Sequence, residues 1–181
     1  MIVLVLGGTR SGKSELAEQL AARLPDPVTY LATTITGGGG SAGGEVDDDM
    51  AERIARHRAR RPAEWRTLEV GADPPAALAD ALARTSGTVL VDSLGTWLAA
   101  WPDFDPDVES LVAALRRRRG DTVLVSDEVG LGVHPSTEVG RRFRDALGSA
   151  NRAVAAESDR VLLVVAGRVL DLQPAGDVLS G

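Results

Sequence analysis

IVLVLGGTRSGKSELAEQL, residues 2–20, is the stretch on which the reading of this 181-residue chain turns. Ile2 to Leu6 form an apolar run that does not alternate, as a strand covered on both faces would. Glycines follow at once, and from about residue 13 to 23 the pattern turns helical. Between strand and helix, Gly7-Gly8-Thr9-Arg10-Ser11-Gly12-Lys13-Ser14 fits G-x-x-x-x-G-K-[ST]. Glycines let the backbone wrap a phosphate, and the N–H groups at a helix N-terminus converge on its oxygens. Lys13 is placed to neutralise β- and γ-phosphates, and the Ser14 hydroxyl to ligate Mg²⁺. A strand before the loop and a helix after it is the context this motif needs. The expected ligand is therefore a nucleoside triphosphate, ATP or GTP.

Working outward, four more apolar runs read as strands: VTYLA (28–32), TVLVD (88–92), TVLVS (122–126) and RVLLVVA (160–166). VLDL (169–172), just after Gly167, reads as a hairpin strand. Helical patterns lie near 47–60, 75–84, 105–118 and 136–157. Strand–helix alternation of this kind predicts an α/β fold of the P-loop NTPase type. Its sheet is doubly wound and mostly parallel, with helices on both faces. Residues 1–181 are expected to form a single P-loop nucleotide-binding transferase domain.

Composition sets outer limits. Apolar content of 44% and charged content of 25% suit an ordinary globular protein. A net charge of −6 argues against nucleic-acid binding driven by counterion release. The absence of cysteine excludes disulfides and thiolate zinc sites. No apolar run approaches the ~18 residues of a membrane span, so none is expected, and a cytoplasmic location is the default. The segment TGGGGSAGGE (36–45) reads as a flexible loop, either an active-site lid or an inert insertion. The acidic run Asp47-Asp48-Asp49 after it suits the N-terminal end of the next helix.

Two acidic positions follow strands. Asp92 ends TVLVD, where a second Mg²⁺-associated carboxylate belongs in such a fold. Asp127-Glu128, after TVLVS, has the same placement, with a solvated strand end as the equally open reading. No N-K-x-D element follows late in the chain, which argues against a regulatory GTPase; a small-molecule kinase stays open.

RIARHRARRPAEW (53–65) is harder to explain as plain structure. It sets His57, one of two histidines, among Arg53, Arg56, Arg58, Arg60 and Arg61. On a helix, Met50, Ile54 and His57 share a face, with Arg53, Arg60 and Arg61 beside it. One reading is a histidine at the edge of the core with solvated arginines around it. The other is a phosphate-handling site, in which neighbouring cations keep the imidazole neutral and nucleophilic. Spacing alone leaves both open.

Taken in order, GGTRSGKSELAE, YLAT, DDDMAERIARHRARRPAEWRTLE, VLVDSLGTWL, VLVSDEVGLGVHP and GRRFRDALGSANRAVAAESDRVLLVVAG resemble one family over nearly the whole chain. It is the bifunctional adenosylcobinamide kinase / adenosylcobinamide-phosphate guanylyltransferase family of cobalamin biosynthesis. The resemblance implies two reactions: phosphorylation of the adenosylcobinamide hydroxyl by ATP or GTP, then transfer of GMP from GTP to that phosphate through a histidine–GMP intermediate. It implies that His57 is the guanylylated histidine and that Lys13 is catalytic. Nucleotide contacts would fall on Gly7, Gly8, Thr9, Arg10, Ser11, Gly12, Lys13 and Ser14. Others would fall on Ala32, Thr33, Thr34, Arg58, Ala59, Arg60, Arg61, Glu69 and Asp92, with Ser14 and Asp92 at Mg²⁺. It implies a small-molecule corrinoid substrate and a homo-oligomer, with a trimer as the expected form. The chain departs from the family's usual pattern in the 36–45 loop, in His134, where the family often has an apolar residue and no catalytic role is assigned, and in Asp127, where it often has asparagine. Trp65, Trp97 and Trp101 are candidates for stacking on a corrin ring, with core packing the favoured role for each.

Overall fold

The structure is a computed structural model that describes residues 1–33, 60–70 and 77–179. The glycine-rich 36–45 loop and the helix expected at 47–60, Arg60 apart, lie outside the described residues. So do His57, Thr34, Arg58 and Ala59.

Seven strands form one sheet in the order β3-β2-β4-β5-β1-β6-β7. They are β1 (Ile2–Gly7), β2 (Val28–Ala32), β3 (Arg66–Glu69), β4 (Thr88–Asp92), β5 (Thr122–Asp127), β6 (Arg160–Val165) and β7 (Arg168–Leu172). β1 to β6 pair in parallel, and β7 turns back antiparallel on β6. The helices are α1 (Lys13–Ala21), α2 (Ala77–Arg84), α3 (Leu94–Ala99), α4 (Val108–Arg117), α5 (Glu138–Ala156) and α6 (Ala175–Leu179), with a 3₁₀ turn at Pro102–Phe104.

The continuous apolar runs are explained by two cores. Alternate residues of a strand point to opposite faces. Leu4, Leu6, Leu31, Val89, Val91 and Leu124 face α2, α3, α4 and α5, meeting Leu78, Leu98, Leu111 and Leu147. Val3, Val5, Tyr30, Leu90, Val123, Val125 and Leu162 face the other way, toward Ala17 and Ala21 of α1 and toward Trp65. Helices therefore cover both faces, as expected.

Two elements carry no strand or helix signal of the expected kind. β3, RTLE, is mostly exposed, so it shows no apolar run. α3 is six residues long and starts two residues after Asp92; Ser93 caps it, accepting from the Thr96 N–H. The helix expected over 105–118 begins at Val108 because Asp107 caps it through the Ser110 N–H. The helix expected over 136–157 runs from Glu138 to Ala156.

Candidate nucleotide site

β1 is an inner strand, with β5 and β6 on its two sides, so its C-terminal end opens onto the middle of the sheet rim. There Gly12 sits at φ 96 and caps α1, which begins at Lys13. That left-handed conformation is one a side chain disfavours. Gly7 is required for a different reason. A Cβ on it would lie 2.4 Å from Ser11 Oγ and 2.8 Å from the Val164 carbonyl oxygen. Gly8 meets nothing within 4 Å, so the mouth of the loop is open there. Thr9 and Arg10 are exposed, with Arg10 at φ 58. Ser11 Oγ is buried and has no hydrogen-bond partner among the described residues.

The loop is braced from both sides. The Glu128 N–H donates to the Gly7 carbonyl oxygen at 3.1 Å, and the Gly167 N–H to the Ser11 carbonyl oxygen at 3.0 Å. Gly167, in the β6–β7 turn, thus touches the loop that β1 begins. Lys13 is 5% exposed; its Nζ donates to the Gly8 carbonyl oxygen at 3.1 Å and meets Asp127 Oδ1 at 2.8 Å.

Along the same rim, strand register lines up three of the expected contacts. Ala32 of β2 pairs with Glu69 of β3 on one side and with Asp92 of β4 on the other. From β3 to β1 is four strand steps, about 19 Å at ~4.8 Å per step. Thr33 is held next to this row. Its Oγ1 donates to the Ser93 carbonyl oxygen at 2.7 Å and accepts from the Ser93 N–H at 2.8 Å. The Asp92–Ser93 peptide is cis.

Asp92 Oδ2 accepts from the Tyr30 hydroxyl at 2.9 Å. Burial, then the Asp92 carboxylate, drives the Tyr30 phenol far above its ordinary value of about 10, with Arg61 pulling the other way. The Arg61 guanidinium lies over the Tyr30 ring, 3.2 Å from its centroid. Arg60 forms an ion pair with Glu18 of α1, Nε to Oε2 at 3.1 Å. Arg60 and Arg61 are therefore engaged with α1 and β2. Neither Tyr30 nor Glu18 was a sequence-predicted site residue. The one available hint was that the chain's single tyrosine lies on a buried strand.

A magnesium ion would find hard oxygen donors on this rim. Ser14, buried in the first turn of α1, and Asp92, at the end of β4, supply a hydroxyl and a carboxylate. No cluster of three or more potential metal-ligating His, Cys, Asp or Glu side chains occurs among the described residues. A cation here would therefore complete its shell with phosphate oxygens and water, the usual habit of Mg²⁺ beside a nucleotide.

The tryptophans pack as core. Trp65 and Trp97 are buried, and Trp97 meets Trp101 edge to face at 6.0 Å. His134 is exposed, with its Nδ1 2.9 Å from Arg144 Nη1. Among the described residues no helix is long and apolar enough to cross a membrane.

Comparison with known proteins agrees with this geometry. A family model described as cobinamide kinase / cobinamide phosphate guanyltransferase matches residues 3–172. A bifunctional adenosylcobalamin biosynthesis protein, CobP, of Pseudomonas aeruginosa is 42% identical over 179 residues, covering 94% of this chain and 96% of that protein. The corresponding protein of Salmonella typhimurium, CobU, is 37% identical, covering 92% and 97%. In fold, the chain is similar to a solved ATPase of a type III secretion system, with a TM-score of 0.51 at 14% identity; the match covers 90% of this chain and 50% of that one.

Proposed function

The chain belongs to the cobinamide kinase / cobinamide phosphate guanyltransferase family, and from that premise we propose how its rim carries out two reactions. In the first, the hydroxyl oxygen of adenosylcobinamide attacks the γ-phosphorus of a nucleoside triphosphate held by residues 7–14. The new O–P bond forms as the bond from the γ-phosphorus to its bridging oxygen breaks. The hydroxyl proton is lost, and the nucleoside diphosphate leaves. In the second, a neutral His57 nitrogen attacks the α-phosphorus of GTP, forming an N–P bond and releasing pyrophosphate. The phosphate oxygen of adenosylcobinamide phosphate then displaces the histidine, giving adenosylcobinamide-GDP.

Lys13 binds the β- and γ-phosphates and steadies the charge that grows on the leaving oxygen. Ser14 and Asp92 would hold Mg²⁺, which supplies further neutralisation of the phosphate charge. Tyr30 fixes one Asp92 oxygen. A nucleotide that contacts both the loop and Glu69 lies along the rim, over Asp92 and Ala32.

The observation that supports the histidine step is the ion pair between Arg60 and Glu18. Arg60 lies three residues along the chain from His57, and three residues span at most about 11 Å. Glu18 stands on α1, the helix that starts at Lys13. Arg60, in the basic stretch, is thereby tied to the phosphate-binding helix. In this reading Arg60 and Arg61 act first as anchors of that stretch, on Glu18 and Tyr30.

Incubation with α-labelled GTP should leave label on the protein, stable to alkali and labile to acid, as a phosphoramidate is. The His57→Ala variant should take up no label yet keep phosphorylating adenosylcobinamide at near the normal rate. An unlabelled wild type, or undiminished label on His57→Ala, would sink the covalent step. We place the enzyme in the cytoplasm as a single transferase domain that assembles as a homo-oligomer, with a trimer as the expected form.

A further inference from the structure

Asp127 is not needed for any step above, yet its carboxylate forms an ion pair with the one lysine on which the phosphate loop depends. Lys13 Nζ to Asp127 Oδ1 is 2.8 Å, and the lysine is 5% exposed against 32% for the aspartate. The backbone that carries this carboxylate is held on several sides. Asp127 is the register partner of Gly7 across the β1–β5 ladder. The next N–H, that of Glu128, donates to the Gly7 carbonyl oxygen. Asn151 of α5, itself buried, donates to the Asp127 carbonyl oxygen at 3.1 Å and accepts from the Ser126 hydroxyl at 2.7 Å. On the far side, a Cβ on Gly95 of α3 would lie 2.5 Å from Asp127 Oδ2. Glycine at position 95 is what allows the carboxylate to stand there.

A triphosphate arriving at residues 7–14 therefore meets a lysine already paired, with a fixed negative charge behind it. Repulsion from that charge grows with the charge the nucleotide carries. A free triphosphate carries about four negative charges at neutral pH, and one that has bound a divalent cation carries two fewer. We propose that Asp127 is a positioning and selectivity residue: it holds Lys13 in an internal ion pair and so makes the loop favour the cation-bound nucleotide over the free one. The inference rests on the nucleotide reading of the loop and does not involve His57.

The test is equilibrium binding of GTP to wild type, Asp127→Asn and Asn151→Ala, each in excess Mg²⁺ and in excess chelator, with a thermal melt for each protein. Asparagine keeps the shape and a hydrogen bond to Lys13 but removes the charge. Asp127→Asn should bind Mg²⁺-free GTP about tenfold or more tighter, while its affinity for Mg²⁺–GTP stays within about threefold of wild type. Asn151→Ala disturbs the same backbone without touching the charge, so its effect should be the same with and without the cation. An Asp127→Asn variant that tightens equally in both conditions, weakens, or does not change would overturn the role of Asp127. A folded wild type that binds no GTP in either condition would instead overturn the nucleotide reading beneath it.

Discussion

At the scale of single residues, Tyr30 shows how a neutral group can be as constrained as a charged one. Its ring is sealed between β2 and Arg61, and its hydroxyl donates to Asp92. Ionising it would place a second negative charge against the carboxylate without water to solvate it, so burial and Asp92 both push its pKa up. The stability consequence follows in sign. Above pH ~10 the unfolded chain loses the phenolic proton while the folded one keeps it. Folding stability is unaffected by this group below pH ~10 and falls as pH rises beyond it. Because the chain has one tyrosine, ultraviolet difference absorbance reads this group alone. No phenolate signal should appear in the folded protein at pH 10 to 11, and it should emerge together with the unfolding transition. A phenolate signal rising near pH 10 in folded protein would remove Tyr30 from its place beside Asp92.

At the scale of elements, one side chain ties three segments together at the end of the sheet opposite the site. Arg118, just after α4, is half-buried, and burial draws its pKa below the usual arginine value. Its guanidinium donates to Thr122 Oγ1 at 2.9 Å and to the Leu82 carbonyl oxygen at 3.0 Å. It also donates to the carbonyl oxygens of Thr85 and Gly87. It thus joins the end of α2, the turn into β4 and the start of β5. Removing it leaves several carbonyl groups unpaired in a partly dry region, so Arg118→Ala should cost about 3 kcal/mol. Lysine, with a single nitrogen, should recover less than half of this. Denaturant unfolding of the two variants measures both. The pairings with Leu82, Thr85 and Gly87 were not legible beforehand, because each joins groups far apart in the sequence. What was legible has a local cause: glycine spacing at Gly7 and Gly12, and apolar runs for strands covered on both faces. β3 escaped notice because RTLE is an exposed edge, and α3 because six residues carry too little periodicity. Glu18 and Asn151 look like ordinary helix residues until β5 and the basic stretch are brought beside them.

At the scale of the whole molecule, the site belongs to the sheet as a body rather than to one segment. Gly7 depends on Val164 and Glu128, Ser11 on Gly167, and Lys13 on Asp127. Nucleotide binding should therefore stabilise the entire fold. Mg²⁺–GTP at 100 times its Kd should add about 2.7 kcal/mol. For a chain of this size that raises the thermal midpoint by roughly 5–11 °C, and Lys13→Ala should lose most of the shift. The position of β1 has a further consequence, for how the protein is made. β1 is synthesised early, yet its two sheet neighbours, at Thr122–Asp127 and Arg160–Val165, are among the last strands to leave the ribosome. A nascent chain that ends before β6 carries the whole phosphate-binding sequence but not the wall that shapes it. GTP should give such ribosome-bound chains little protection from protease, and protection should begin only once the β6–β7 turn is outside the exit tunnel.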